Sequence, residues 1–269
     1  MMPEVHHQAG HSLYYRKTGS GDTVVLWFHG FGQNHQAFDK ITEPHSQEFT
    51  HYSFDLFFHG NSVWVGDGAI EKQDWKELIQ LFLDQTGLKN FSIASFSIGC
   101  RFAVALAEQF PDRIQNLIML APDGIQFRFW YSFATYPYLC RKLFQRIVTK
   151  PAFWNRLLSF LEVTRLIDRK LLRFAQRQMD TQQKRNQVYQ SWVNFRHLKC
   201  NKAGLILLAE VHKISITLIA GTRDKVVPAR LIQKLKNQKP VLDYHSLNAS
   251  HNELIGMSGE HLYKLLQKQ

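Results

Sequence analysis

The chain has 269 residues, 45% of them hydrophobic and 13% aromatic, enough for the core of one large domain and too apolar for a disordered chain. Its formal net charge is +11, yet residues 123–212 alone hold 16 Lys and Arg against 5 Asp and Glu, so the remainder is neutral. That distribution, with no basic tract or recognised nucleic-acid motif, argues against a nucleic-acid-binding protein and marks one segment with a different surface. No apolar run reaches the roughly 18 residues a membrane span needs, and MMPEVHHQAGHS at the N-terminus lacks the apolar stretch of a signal peptide. Cys100, Cys140 and Cys200 are odd in number and far apart, which suits reduced thiols in the cytoplasm. The thirteen histidines include one H-x₃-H, His7 and His11, near the N-terminus but no H-E-x-x-H, and no metal is expected.

In chain order, VVLWF (24–28) is an apolar strand followed by the turn HGFG, and HYSFDLF (51–57) is a second strand leading to HGNS. Residues 72–86 carry Trp75, Leu78, Ile79, Phe82 and Leu83 at helical spacing. FSIAS (91–95) is a short strand, RFAVALAEQF (101–110) a helix stopped by Pro111, and NLIMLA (116–121) another buried strand. After residue 212 come the strand ITLIAG (216–221), a helix near 229–237, the strand VLDYHSL (241–247) and a last helix from about Ser258.

Short apolar strands alternating with helices predict a mostly parallel sheet covered on both faces. In such a sheet ligands bind beyond the carboxyl ends of the strands, which is where the polar motifs fall. The basic middle is different. YLCRKLFQRIV (138–148) sets Leu139, Cys140, Leu143, Phe144, Ile147 and Val148 against Arg141, Lys142, Gln145 and Arg146, and residues 154–178 continue the helical pattern. It reads as a helical insertion, aromatic-rich at 127–138.

The stretch FSIASFSIGCRF (91–102) contains a candidate nucleophile. A serine presented on a sharp strand–helix elbow needs small residues two before and two after it. Ser97 has Ser95 and Gly99 there, whereas Ser95 would have the branched Ile93. Asp224 lies in GTRDKVVP after the strand 216–221, and His251 lies in SHN after the strand 241–247. The order Ser97, Asp224, His251, with HGFG at 29–32 and an elbow of G-x-S-x-G type, resembles the α/β-hydrolase superfamily over the whole chain.

The resemblance implies a core at 1–122 and 206–269, a helical cap at 123–205, and a cofactor-independent serine hydrolase of an ester or thioester. It implies that Ser97 attacks, His251 carries the proton, Asp224 orients the imidazole, and the backbone N–H groups of Phe31 and Ile98 form the oxyanion hole. Asp123, in APDG, is the rival acid, since some members place theirs before the cap. Asp55, His29 and His59 fit the family's turn motifs, and His29 is also a candidate substrate contact. Arg101 matches an arginine that holds an acidic substrate in the lyases of menaquinone synthesis, where Cys100 departs from the usual glycine. Carbon–carbon cleavage of an anionic substrate is therefore one alternative, and a non-catalytic binding member another. The expected partner is a small molecule, apolar in its acyl part or anionic, with peripheral contact at a membrane surface as a further option for the basic helices.

Overall fold

The computed structural model describes residues 4–125, 129–166, 173, 176 and 179–267. Eight strands form one sheet: β1 (Glu4–His6), β2 (Ser12–Thr18), β3 (Thr23–Phe28), β4 (Phe49–Phe54), β5 (Phe91–Phe96), β6 (Ile114–Leu120), β7 (Ser215–Gly221) and β8 (Asp243–Leu247). Their order is β1-β2-β4-β3-β5-β6-β7-β8, antiparallel at β1–β2 and β2–β4 and parallel from β4 onward. The six parallel strands thus end on one edge. Register places Phe28 opposite both Phe54 and Ser95, and Phe96 opposite Leu120.

Both faces of the sheet are covered at its centre, where every residue of β4 and β5 is buried, the polar Thr50, His51, Ser53, Ser92 and Ser95 among them. Period-2 alternation sends Val25 and Trp27 to a cluster with Phe38, Ile118, Ile219, Leu254 and Leu262. Phe28 instead packs on Phe54 and Trp75, whose indole stands edge-on to Phe102 and donates to the Phe102 carbonyl at 3.1 Å. The helices Lys72–Thr86 and Gly99–Gln109 cover that second face. The first of them starts with a capping box of Glu71 and Asp74 and stops at Gly87 in the left-handed region.

Several boundaries differ from the sequence expectation. β4 ends at Phe54, so Asp55 lies beyond the strand, where its carboxylate accepts from the backbone of His35 and Asn61. The last helix begins at Leu254, four residues before Ser258, because the turn after His251 runs directly into it. The segment expected to be helical over 154–178 is helical over Pro151–Thr164 and stops where Arg165 turns left-handed; most of the stretch 167–178 lies outside the described residues.

The chain divides into two compact units. One comprises 1–66, 71–126 and 198–269 and contains the sheet; the other comprises 67–70 and 127–197. In the second, the helices Phe129–Thr135, Tyr138–Thr149, Pro151–Thr164 and Gln182–Asn194 pack together. Arg185 is buried there, donating to the carbonyls of Val148, Met179 and Asp180. Of the six residues expected on the apolar face of 138–148, only Val148 is buried, and Leu139 and Leu143 stand in solvent. Among the described residues no helix is long and apolar enough to cross a membrane.

Candidate active site

β5 reaches the parallel edge and turns into the helix Gly99–Gln109 within three residues, and Ser97 sits at the apex with φ 52°. A side-chain-bearing residue is strained in that left-handed conformation, by about 1–3 kcal/mol. Backbone bonds hold it there: the Ser97 amide donates to Leu120 at 2.9 Å, and its carbonyl accepts from Cys100 and Asp123. Gly99 is required by a close approach. A Cβ at that position would lie 2.4 Å from the Phe28 carbonyl oxygen and 2.5 Å from that of His29. The same contact sets the elbow against the end of β3, beside the turn that carries Phe31. Ser95, also buried, uses its small size to tuck a hydroxyl against Ile118 O and the Cys100 thiol.

β7 and β8 deliver the other two side chains. His251 Nε2 lies 3.2 Å from Ser97 Oγ, and Nδ1 lies 2.7 Å from Asp224 Oδ2. With Nδ1–H donating to the carboxylate, Nε2 keeps its lone pair toward the serine hydroxyl, the arrangement a general base needs. The second oxygen, Asp224 Oδ1, accepts from the amides of Val226 and Val227 at 2.7 and 2.9 Å, which fixes the carboxylate plane. All three residues are buried, and the Phe96 ring lies 4.8 Å from the imidazole. Ile98 caps the helix Gly99–Gln109, so its amide belongs to the positive end of the helix dipole.

Arg101 and Asp123 find each other. The buried guanidinium donates from Nε at 2.9 Å and from Nη2 at 2.6 Å to Asp123 Oδ2. Two candidates from the sequence, a substrate-holding arginine and a rival acid, are in this way each other's partner. Cys100 is fully buried, and burial pushes its thiol up to about 12, which makes it inert packing at the elbow.

His29 is held in the loop frame. Its Nδ1 donates to Gly30 O at 2.7 Å and its Nε2 accepts from the Leu56 amide at 2.9 Å, so both nitrogens are engaged by backbone. This is the neutral imidazole, and burial pulls its pKa down to about 3. Burial likewise lowers His59 and His51 to about 4. In the unfolded chain all three take up protons near pH 6.5. The unfolded state therefore binds more protons between about pH 6.5 and 4, and stability falls as pH drops through that window. Urea unfolding is expected to lose on the order of 6 kcal/mol between about pH 7.5 and 5. A flat profile over that range would contradict the neutral, buried state of these histidines.

Sequence reasoning missed the ties that hold the two loops. Arg223, next to Asp224, donates to Asn248 Oδ1 and O and, from Nη2, to Glu253 Oε2 at 2.8 Å. The same Glu253 oxygen accepts from the amide and hydroxyl of Ser250, next to His251. These contacts clamp the turn after β7 to the turn after β8. A charged pair next to the candidate residues was the only signal for it, and surface charge pairs are common. Gln33 is a second omission: its Oε1 accepts from the Gly30 amide at 2.9 Å and shapes the HGFG turn. Among the described residues, no three His, Cys, Asp or Glu side chains are grouped to hold a metal ion.

Residues 23–255 match the family described as alpha/beta hydrolase fold. A pimeloyl-[acyl-carrier protein] methyl ester esterase of Nitrosomonas europaea is 30% identical over 110 residues, which are 41% of this chain and 41% of that protein. The chain thus matches about two-fifths of the length of that relative. Among solved structures, a thermophilic esterase from Thermogutta terrifontis superposes with TM-score 0.66 at 17% identity, covering 98% of this chain and 97% of the other. An enol-lactonase from Burkholderia xenovorans gives 0.67 at 15% identity and 98% coverage of both. With the sheet order, the crossover helices and a family match over most of its length, the chain belongs to the α/β hydrolase fold family.

Proposed function

We propose that this protein is a cofactor-independent serine hydrolase that cleaves an ester or thioester of an apolar acid through an acyl-enzyme. Ser97 Oγ attacks the carbonyl carbon while His251 Nε2 takes its proton. The tetrahedral oxyanion rests on the amides of Phe31 and Ile98, and collapse expels the alcohol or thiol, which receives the proton from His251. Water, deprotonated by the same imidazole, then releases the acid and restores the serine. Asp224 holds the ring in the productive tautomer throughout.

The observation that carries this reading is the unbroken relay from Ser97 through His251 to Asp224, at 3.2 and 2.7 Å, with the serine on a strained elbow. The esterase of Nitrosomonas europaea, similar over 110 residues, supports an ester as the substrate class. In this reading residues 123–205 form the cap that selects the acyl group, on a core of 1–122 and 206–269. A cytoplasmic place suits the three free cysteines. Carbon–carbon cleavage drew on Arg101 as an anion holder, and its pairing with Asp123 removes that support.

A panel of p-nitrophenyl esters, acyl thioesters and vinylogous diketones tests the choice. Turnover of esters or thioesters at rates at least about 100-fold above the diketones is expected, and the reverse ranking would overturn the substrate class.

A further inference from the structure

The second compact unit places apolar and cationic side chains together on exposed helix faces. Of the sixteen large hydrophobic side chains exposed among the described residues, nine belong to this unit, which is little more than a quarter of the chain. On the helix Tyr138–Thr149, Leu139, Lys142, Leu143 and Arg146 follow at i, i+3, i+4 and i+7, so they share one face, and all four are exposed. Leu139 is 77% exposed. On the helix Pro151–Thr164, Phe153, Arg156, Phe160 and Val163 follow at i, i+3, i+7 and i+10, so they too share one exposed face, with Val163 82% exposed. Soluble surfaces scatter single apolar side chains; two successive helices that each present an apolar stripe with basic side chains in it indicate a partner.

We propose that these two stripes dock the protein on an anionic phospholipid bilayer. The segment that carries them holds the entire net charge of the chain, and that charge is complementary to an acidic lipid surface. A second copy of the chain would bring two such segments together and is disfavoured by repulsion. An acidic protein would need a groove shaped to take the projecting Leu139, Phe160 and Val163. A bilayer adapts to them: the apolar tips enter the acyl boundary, while Lys142, Arg146 and Arg156 reach back to the phosphates along their own aliphatic stems. Tyr138, with the Lys142 ammonium 4.7 Å from its ring centroid, is an amphipathic side chain suited to the headgroup level.

The test is flotation of the whole chain with vesicles of phosphatidylcholine alone and with about 30 mol% phosphatidylglycerol. Binding to the anionic vesicles is expected, at least about 10-fold stronger than to the neutral ones and weakening as salt rises from about 50 to 500 mM. Lys142→Glu with Arg156→Glu, and separately Leu139→Ser with Phe160→Ser, should each reduce that binding about 10-fold or more. These positions are exposed, and an unchanged circular dichroism spectrum and melting temperature will show that the variants fold. Absence of binding at low salt overturns the proposal, as does equal binding by the folded variants. Capture of polyglutamate without any vesicle binding assigns the face to an acidic protein and also overturns it. Hydrolysis of a short water-soluble ester is read separately, so a failure of lipid docking and a failure of the hydrolase reading are distinguishable.

Discussion

Ser97→Ala is expected to lower ester hydrolysis by at least about 10⁴-fold while leaving the protein folded. In the proposed mechanism the loss is large because the hydroxyl oxygen forms the acyl bond, and no other group within the relay can replace it. His251 would still sit on Asp224, so the residual rate reports only what the oxyanion donors and binding contribute. The fold should tolerate the change. The backbone at Ser97 is held by its amide to Leu120 and by its carbonyl to Cys100 and Asp123, and alanine keeps all three bonds. A steady-state assay of both proteins checks this, beside thermal melts. A variant with more than about one-tenth of wild-type kcat would remove Ser97 from the chemistry.

Asp224→Asn carries the second large effect, and its comparison with Asp123→Asn decides which aspartate is the acid. An amide at 224 can present its NH₂ to His251 Nδ1, which favours the tautomer with the proton on Nε2 and leaves no base facing Ser97. A fall of about 10³–10⁴-fold in kcat at neutral pH is expected. Asp123 has no place in that relay. Its carboxylate meets the buried Arg101 guanidinium, so Asp123→Asn should weaken that pair and cost stability, on the order of 1–3 kcal/mol, with kcat within about tenfold of wild type. Equal losses of activity from both variants, at equal folded fraction, would contradict the assignment.

The parallel strands and the three residues of the relay were legible because each leaves a local mark. Apolar runs end in turn residues, and the elbow requires small side chains at 95 and 99, where a Cβ on Gly99 has no room beside the Phe28 carbonyl. The antiparallel edge was not legible. Glu4–His6 has only three residues, Ser12–Thr18 ends in the polar run Arg16-Lys17-Thr18, and both pair through backbone groups that any sequence supplies. Arg101 and Asp123 stand 22 positions apart, each suggestive alone, and only the fold makes them one ion pair. His29 shows a different limit. A histidine in a glycine turn has the same one-letter signature whatever it touches, and its bridge from Gly30 to Leu56 is visible only in the fold. In the helical unit, spacing found an apolar face on 138–148, but spacing does not say whether another element covers it. Leu139 and Leu143 remain exposed.

The central claim is that Ser97 is an activated nucleophile, and a fluorophosphonate tests it without knowledge of the substrate. The phosphorus is attacked as an ester carbonyl would be, fluoride leaves, and the adduct remains on the serine that attacked. Intact-mass measurement of wild type and Ser97→Ala after equal exposure is the decisive comparison. One adduct on the wild type and none on the variant is the expected result. An adduct retained in the variant, or none on folded wild-type protein, would contradict the claim.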